Sequence, residues 1–273
     1  MIPYESMHPF FALPRPLAIG HRGCAGEVPE NTLASFARGV ADGAVVIETD
    51  VHLTRDGVPI LLHDDDVARV SDGHGPVRDL SFAQVRALDA GFRFTAPDGS
   101  TPFRGAGLRF PSLEEALASL PGTRFNLELK EDRPGISERV LAVIRAADRE
   151  ELSLVTSGED VLMAKLRAAV RATGARVALG ASTDDVARFV RAAHEGGAPP
   201  RDAMALQIPA AFLGRPLVTP ELVSAAHAHG IHVHVWTINE PREIAELIAL
   251  GVDGVISDYP ARVVRAAAAR ASV

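Results

Sequence analysis

The stretch that decides the fold is LAIGHRG, residues 17–23, in which an apolar run ends on a histidine, an arginine and a glycine. A helical pattern begins soon afterwards, behind PENT at residues 29–32. An α/β barrel displays its reactive groups where strands end and helices follow. Imidazole exchanges protons near neutral pH, and a guanidinium holds a phosphate through two parallel hydrogen bonds. The stretch therefore predicts a strand end that carries chemistry on a phosphate ester.

Outward from this stretch, short β-rich runs alternate with longer helical patterns. Strands are predicted at residues 17–20, 45–53, 125–130, 152–156, 176–180, 203–207, 232–238 and 254–257, with an extended piece at 58–63 joined to the second. Helices are predicted at residues 32–42, 113–120, 138–147, 161–172, 184–194, 220–229 and 241–250, and a final helix at 261–273. Such alternation implies parallel strands and right-handed crossovers. Eight units predict a closed TIM (β/α)8 barrel.

Residues 64–111 break this rhythm, because they are polar, rich in Gly and Pro, and longer than a normal strand–helix connection. We expect a small subdomain inserted after the second strand unit, since Phe82, Leu88, Phe92, Phe94 and Phe103 could form a small core. No other linker indicates a second domain. The prediction is therefore a single domain over residues 1–273 with one insertion at about 64–111.

Composition narrows the class of protein. The chain has 273 residues and a formal net charge of -7, which argues against a general nucleic-acid or anionic-membrane binder. No apolar run approaches the roughly 20 residues that span a bilayer, and no signal peptide is recognisable. The single cysteine, Cys24, excludes an internal disulfide. These features predict a cytoplasmic protein with a small-molecule substrate and leave the oligomeric state open.

Glu48 and Asp50 lie two apart on an apolar strand, so both side chains point to one face. Two acids inside a barrel must be paired or bind a cation. Glu128 and Lys130 repeat the pattern near the end of another strand, where a structural ion pair is the alternative. For an isolated Glu-x-Asp the alternative is a strand end with solvated carboxylates.

Taken together, these groups offer three carboxylates and one cation directed at a phosphate. Three carboxylates without clustered cysteines favour a hard divalent ion, Mg²⁺ or Ca²⁺. Mn²⁺ is a further possibility, and zinc, through the histidines, is less favoured. The cofactor prediction is therefore one divalent cation.

His63 closes an extended run, as His21 does. Cleavage of a phosphodiester needs one group to take a proton from the nucleophile and another to give a proton to the leaving alkoxide. Two imidazoles at matching strand ends can divide this work, although a lone histidine in such a place is more often structural. His232 and His234 alternate with valines on one strand, which indicates inward structural packing.

Other polar and aromatic positions allow two interpretations each. Trp236, the only tryptophan, ends an alternating strand, where it either floors a small polar ligand such as a glycerol moiety or packs in the core. Asn31 and Thr32 are predicted to cap the first helix through their side chains. Glu30 either reaches the site or makes local hydrogen bonds, and His52 either faces the site or supports it from behind.

Together these residues resemble the glycerophosphodiester phosphodiesterase family over residues 17–260. The resemblance rests on HRG at 21–23 with PENT at 29–32, ETDV at 48–51 with LTRDG at 53–57, HD at 63–64, the pair Glu128 and Lys130, WTIN at 236–239 and GVDGVISD at 251–258. Two departures, Cys24 and the segment 154–158, concern the shape of the pocket and the alcohol specificity.

The resemblance implies a TIM barrel that hydrolyses a glycerophosphodiester to glycerol 3-phosphate and an alcohol. It implies His21 and His63 as the acid–base pair. Glu48, Asp50 and Glu128 match the ligands of the divalent metal, and Arg22 and Lys130 match cations that contact the phosphate. Trp236 matches an aromatic residue near the glycerol.

Two alternatives stay open. One is a related barrel phospholipase, phospholipase D-like, which would need an exposed apolar rim; Phe92, Phe94 and Phe103 are the candidates for it. The other is a non-catalytic barrel that binds phosphate or a polyol. We expect no stable membrane insertion and no nucleic-acid partner.

Overall fold

A computed structural model of the chain describes residues 8–195, 199 and 202–271. Within these residues the strands, numbered in chain order, are β1 (Leu17–His21), β2 (Val46–Leu53), β3 (Pro59–Leu61), β4 (Arg124–Leu129), β5 (Ser153–Thr156), β6 (Ala178–Leu179), β7 (Ala205–Pro209), β8 (Ala211–Phe212), β9 (Arg215–Pro216), β10 (His232–Trp236) and β11 (Gly254–Ser257).

The helices of the same residues alternate with these strands. They are α1 (Leu33–Ala41), α2 (Phe82–Ala87), α3 (Leu113–Ser119), α4 (Ile136–Ala146), α5 (Asp160–Thr173), α6 (Thr183–Glu195), α7 (Pro220–Ala228), α8 (Pro241–Leu250) and α9 (Pro260–Ala271). The last two positions of the predicted final helix lie outside the described residues. Among the helices described, none combines the length and the apolar character needed to cross a bilayer.

Eight parallel strands run side by side in the order β6–β5–β4–β2–β1–β11–β10–β7. The two outer members approach each other through a parallel bridge between Gly180 and Ala205, which nearly closes the sheet into a barrel. The predicted α/β barrel with eight parallel units is therefore confirmed. The extended piece after the second strand, β3, pairs antiparallel with β2 and stands outside the eight.

Side chains alternate along each strand and build two different layers. Outward-facing residues such as Ile47 and Val51 pack beneath the helices in one apolar cluster, and Val233 and Val255 do so in another on the opposite half. Inward-facing residues near the amino-terminal ends of the strands, such as Leu17 and Val46, pack against Phe10 and Phe11. These two phenylalanines belong to a short 3₁₀ turn, Pro9–Phe11, and fill the lower end of the barrel interior.

Residues 64–111 contain α2 and two 3₁₀ turns, Val67–Arg69 and Val77–Asp79. They pack a small cluster of their own that includes Val67, Val85 and Phe110, with Phe82 and Leu88 at its edge. Phe92, Phe94 and Phe103 are not part of it. The rings of Phe94 and Phe103 stack edge to face at 5.2 Å.

Candidate active site

The register of the strands brings the predicted acids to one end of the barrel. His21 pairs with Glu48 between β1 and β2, and Asp50 pairs with Glu128 between β2 and β4. All four face inward. His21 and Glu128 lie near the carboxyl ends of β1 and β4, and the pairing places Glu48 and Asp50 of the longer strand β2 beside them. Because parallel strands end at the same side of a barrel, residues far apart in sequence meet there.

Glu48, Asp50 and Glu128 form a compact group of carboxylates. One oxygen from each lies within 4.8 Å of the others, and Asp50 is only 1% exposed. Burial, reinforced by the charge of Asp50, raises the pKa of Glu48 well above its usual range. Three carboxylates held this close together repel one another, and a divalent cation bound between them would relieve that repulsion.

Two side-chain cations lie against these carboxylates. Arg22 Nε is 3.3 Å from Asp50 Oδ2, and Lys130 Nζ is 3.6 Å from Asp50 Oδ1 and 3.4 Å from Glu128 Oε1. Burial by itself would lower the pKa of each cation, but the carboxylates outweigh it and raise both pKa values. Both groups therefore stay charged, which is the state that contacts a phosphoryl oxygen.

Each of the two predicted acid–base histidines donates a hydrogen bond to a carboxylate. His21 Nδ1 donates to Asp258 Oδ1 at 2.6 Å, and His63 Nδ1 donates to Asp64 Oδ1 at 2.6 Å. A hydrogen bond at Nδ1 sets the tautomer and the orientation of the ring and leaves Nε2 for a substrate. Burial opposes the charged form of His21, yet Asp258 and Glu48 together raise its pKa.

Asp258 is itself held by Asn239, whose Nδ2 donates to Asp258 Oδ2 at 2.7 Å. Neither residue was predicted as part of the site, although both stand in the stretches that carry the family resemblance. Asp258 directly follows β11, and it lies 237 positions from His21. Sequence spacing contains no signal for so distant a pair.

The turn after β1 places Arg22 and depends on a glycine. Gly23 has φ 95°, and a Cβ there would lie 2.5 Å from Ser35 Oγ. That hydroxyl donates to the carbonyl of Arg22 at 2.9 Å and accepts from the amide of Cys24 at 2.8 Å. Arg22 itself takes a left-handed φ of 48°, a conformation that costs free energy and clusters at functional sites.

Asn31 differs from its prediction as a helix cap. Thr32 alone caps α1, by accepting from the amide of Ser35. The buried Asn31 side chain instead donates to Asp50 Oδ2 at 3.1 Å and accepts from Thr49 Oγ1 at 2.6 Å. It thus holds one member of the carboxylate group, and its left-handed φ of 55° turns it inward.

Four further predicted positions have distinct surroundings. Glu30 accepts a hydrogen bond from Arg22 Nη1 at 2.8 Å, so it reaches the site. His52 is buried behind the site, where its Nε2 lies 3.1 Å from the carbonyl oxygen of His63. His232 and His234 face the lower interior of the barrel, as expected, and the ring of His232 lies 4.1 Å from that of Phe11.

Exposed apolar side chains occur at the same end of the barrel. Trp236 is 43% exposed, and it pairs with Pro209 at the carboxyl end of β7. The hairpin β8–β9 follows at once and carries Phe212 and Leu213, which are 62% and 87% exposed. This hairpin was not predicted, because its strands are two residues long.

The phospholipase alternative needs an exposed apolar rim, for which the inserted segment supplied three candidate phenylalanines. Phe92, Phe94 and Phe103 are only partly accessible, and the guanidinium of Arg104 lies 4.7 Å from the centre of the Phe92 ring. These three candidates therefore do not form the exposed rim that the phospholipase alternative requires. The strongly exposed apolar side chains at this end of the barrel are instead Phe212 and Leu213 of the hairpin.

A second group of potential ligands, Cys24, Glu27 and Asp42, does not suit a metal ion. Arg38 forms ion pairs with both carboxylates. Burial raises the pKa of the Cys24 thiol to about 12, so the thiolate that a metal requires is disfavoured. The group of Glu48, Asp50 and Glu128 fits a hard divalent cation better, since it supplies oxygen ligands only.

Comparison with known proteins identifies the class to which this fold and site belong. The glycerophosphoryl diester phosphodiesterase family matches residues 21–262. The glycerophosphodiester phosphodiesterase of Caldanaerobacter subterraneus subsp. tengcongensis is 31% identical over 252 residues, which cover 89% of this chain and 94% of that protein.

Two other relatives are a solved structure and a curated mammalian protein. The structure of an Oleispira antarctica phosphodiesterase, in complex with the product sn-glycerol-3-phosphate, superposes with a TM-score of 0.72 at 28% identity and covers 93% of this chain and 97% of its own. Lysophospholipase D GDPD1 of Rattus norvegicus is 25% identical over 271 residues, which cover 89% of this chain and 83% of that protein.

The chain belongs to the glycerophosphodiester phosphodiesterase family, so the resemblance seen in the sequence is confirmed. As a member, it is a phosphoric diester hydrolase. Members of this family typically depend on a divalent metal.

Proposed function

We propose that this chain hydrolyses glycerophosphodiesters to sn-glycerol 3-phosphate and a free alcohol, with one divalent cation and a pair of histidines. The observation that carries the proposal is the meeting of Glu48, Asp50 and Glu128 within 4.8 Å, with His21 paired to Glu48 in the adjoining strand. The Oleispira phosphodiesterase, which binds this product, supports the choice of substrate class.

Glu48, Asp50 and Glu128 would hold the cation, Mg²⁺ or Ca²⁺ with Mn²⁺ as a further possibility. When bound, such an ion polarises a phosphoryl oxygen. Asn31 keeps Asp50 in place through its hydrogen bond of 3.1 Å. In this assignment the three carboxylates are ligands of the cation, and the two histidines carry the protons.

Arg22 and Lys130 stabilise the negative charge that builds on the phosphoryl oxygens. Both lie within 3.6 Å of Asp50, so a phosphoryl group bound at the carboxylate cluster meets both of them. Charges that are in place before the reaction cost no reorganisation when the transition state forms. Trp236, at the rim beside β7, would contact the glycerol moiety through its ring.

His21 and His63 exchange the protons. One imidazole takes a proton from the attacking oxygen, which belongs either to water or to the 2-hydroxyl of the substrate. As the new P–O bond forms and the old one breaks, the other imidazole gives a proton to the oxygen of the departing alcohol. Attack by water gives glycerol 3-phosphate directly, whereas attack by the 2-hydroxyl gives a cyclic phosphate that water then opens with the roles of the imidazoles exchanged. Asp258 and Asp64 hold the two rings through Nδ1 and stabilise each imidazolium while it is charged.

We also infer that the chain forms one barrel domain with residues 64–111 as an insertion. The separate apolar cluster of Val67, Val85 and Phe110 supports this division. Through Asp64 the insertion touches the site.

The function is tested by release of glycerol 3-phosphate from glycerophosphocholine and related head groups, after EDTA treatment and after addition of Mg²⁺, Ca²⁺ or Mn²⁺. His21→Ala and His63→Ala should each lose on the order of 10²-fold or more in turnover. His229→Ala is the matched control, because this histidine is exposed at the end of α7.

Near-normal turnover by both histidine variants would contradict the acid–base assignment. Full activity of a protein stripped of divalent ions would contradict the assignment of the carboxylates as ligands. No release of glycerol 3-phosphate from any head group would contradict the substrate class.

A second candidate function is hydrolysis of lysophospholipids by the same site. The observation that favours it is the hairpin β8–β9, which holds Phe212 and Leu213 in solvent at the end of the barrel where the site lies. Exposed apolar patches on a soluble protein often mark surfaces that bind lipid or protein. The relative named lysophospholipase D is consistent with such a substrate.

This candidate is tested with micelles of lysophosphatidylcholine. A double variant, Phe212→Ser with Leu213→Ser, should lose activity on micelles and keep its activity on glycerophosphocholine. Val45→Ser, at an exposed position before β2 and thus at the opposite end of the barrel, is the control. Equal activity of the double variant and the control on micelles would exclude a role of the hairpin in lipid binding.

A further inference from the structure

We propose that Arg69 is a positioning residue that holds His63 and Arg22 in their working places through two carboxylates. The inference rests on the function proposed above. Arg69 ends the short 3₁₀ turn Val67–Arg69 in the segment that follows β3. It is not one of the residues predicted for the site.

Arg69 grips Glu30 with both ends of its guanidinium. Nη1 donates to Oε2 at 2.9 Å and Nη2 donates to Oε1 at 2.7 Å. The third donor, Nε, bonds to Asp64 Oδ2. A planar guanidinium fixes such a fork in distance and in angle, which a lysine does not do.

Each of the two carboxylates continues to a group of the proposed mechanism. Glu30 Oε1 also accepts from Arg22 Nη1 at 2.8 Å. Asp64 Oδ1 accepts from His63 Nδ1 at 2.6 Å. The five side chains thus form one unbroken chain of hydrogen bonds, Arg22–Glu30–Arg69–Asp64–His63, with Arg69 in the centre.

The electrostatics agree with this geometry. Burial would raise the pKa of Glu30 and of Asp64, but the bonds from Arg69 are the largest of the effects that lower it. Arg69 itself is 47% exposed, and an ordinary ion pair at such a site contributes little to stability. The hydrogen bonds of Arg69 to two carboxylates are therefore better explained by their effect on the orientation of Arg22 and His63.

The local structure keeps Arg69 in place. Asp66 caps the turn by accepting from the amide of Ala68. Val67 and Val70, on either side of Arg69, are buried in the cluster of the inserted segment. The inserted segment therefore contributes an arginine to the organisation of the site on the barrel.

The experiment compares Arg69→Met with Arg78→Met on glycerophosphocholine. Arg78 is an exposed arginine of the same segment with no hydrogen bond or ion pair to any residue in the described ranges, so its variant should match the wild type. Arg69→Met should lose about 10²-fold in kcat/KM, the cost of displacing a positioned group by about 1 Å. Arg69→Lys should recover part of the loss.

Variants of the two carboxylates distinguish the connection from Arg69 to Arg22 from the connection from Arg69 to His63. Glu30→Gln should act mainly on KM, through Arg22, and Asp64→Asn mainly on kcat, through His63. In the Asp64→Asn background, Arg69→Met should lower kcat much less than it does in the wild type. If Arg69→Met lowers kcat by the same factor in the Asp64→Asn background as in the wild type, the two residues act independently and the proposal is wrong.

A histidine NMR spectrum gives a readout that needs no turnover. The ring resonances of His63, assigned by their loss in His63→Ala, should move in Arg69→Met and stay in place in Arg78→Met. If they stay in place in both variants, the proposal is wrong, whether or not the substrate has been identified correctly. If Arg69→Met does not fold, the same comparison is made with Arg69→Lys, which keeps the charge but not the fork.

Inactivity of the wild type and of Arg78→Met alike would instead count against the proposed function. Full activity of both, together with a loss in Arg69→Met and partial recovery in Arg69→Lys, supports the positioning role.

Discussion

The two ends of the barrel interior are built by the same strands and have opposite character. On β2, Val46 points into the lower interior, where Phe10 and Phe11 pack, and Asp50 points into the carboxylate group. These two residues of one strand stand about 13 Å apart, four positions at about 3.3 Å each. Burial of apolar surface at the lower end stabilises the fold, whereas the closely spaced charges at the upper end destabilise it.

The difference shows in the state of the ionisable groups. At the upper end, burial raises the pKa of Glu48, and the negative charges of Asp50 and Glu128 raise it further. At the lower end, burial lowers the pKa of His232 to about 3 and that of His234 to about 4, so both rings are neutral. We therefore expect substitutions at the lower end to reduce mainly the free energy of unfolding. Substitutions at the upper end should reduce mainly the activity.

The largest expected effect lies at the lower end. Phe11→Ala removes a ring that is 2% exposed and should lower the free energy of unfolding by about 3–5 kcal/mol. Chemical denaturation measures the loss, and residual turnover at low temperature should stay near normal. Phe212→Ala, at an exposed position, should change stability by less than about 0.5 kcal/mol. Equal losses of unfolding free energy in the two variants would show that Phe11 does not stabilise the lower interior of the barrel.

Divalent cations should stabilise the upper end only. At a concentration about 100 times its dissociation constant, a bound ion raises the free energy of unfolding by about 2.7 kcal/mol. Thermal unfolding with and without Mg²⁺ or Ca²⁺ measures this gain. Glu128→Gln should abolish it, whereas Glu114→Gln, at an exposed position on α3, should not. A gain that survives in Glu128→Gln would place the ion elsewhere.

Acid should weaken the lower end through its neutral histidines. Burial lowers the pKa of His234 from 6.5 to about 4, so between these values the unfolded chain binds a proton that the folded protein does not. The free energy of unfolding therefore falls as the pH falls through this window, by about 2 kcal/mol at pH 5 for one such ring.

His234→Leu should remove this part of the pH dependence. Neither ring nitrogen of His234 has a hydrogen-bond partner among the described residues, so an apolar side chain leaves no group unsatisfied. Denaturation at pH 5 and pH 7 gives the difference, and His229→Gln is the control. The same dependence in His234→Leu and the wild type would show that His234 is not its source.

The smallest expected effect is an increase in the free energy of unfolding, whereas most substitutions decrease it. Glu48→Gln removes a carboxylate whose charged form the fold disfavours, so in EDTA at pH 7 it should raise the free energy of unfolding, on the order of 1 kcal/mol. Turnover should nevertheless be lost. A destabilised Glu48→Gln protein would mean that Glu48 supports the fold rather than burdens it.

The order of elements could be predicted from the sequence because it depends on local periodicity. Alternation with period two placed Glu48 and Asp50 on one face, and the repeated strand–helix pattern predicted eight parallel units. Both hold in the structure. The hairpin β8–β9 escaped prediction because two-residue strands have no periodicity to detect.

Contacts between residues distant in sequence could not be predicted in this way. The bond of His21 to Asp258 and the fork of Arg69 on Glu30 join residues that only the closed barrel and the inserted segment bring together. The side chain of Asn31 turns to Asp50, although its neighbour Thr32 caps the helix as predicted.

By itself, the sequence determined the alternation of strands and helices, the faces on which the acids lie and the residue types available for phosphodiester chemistry. These properties follow from the geometry of single strands and helices, which neighbouring residues control. Only the tertiary structure decided which side chains orient the histidines and which residues fill the lower end, since contacts across the barrel depend on how all eight strands close.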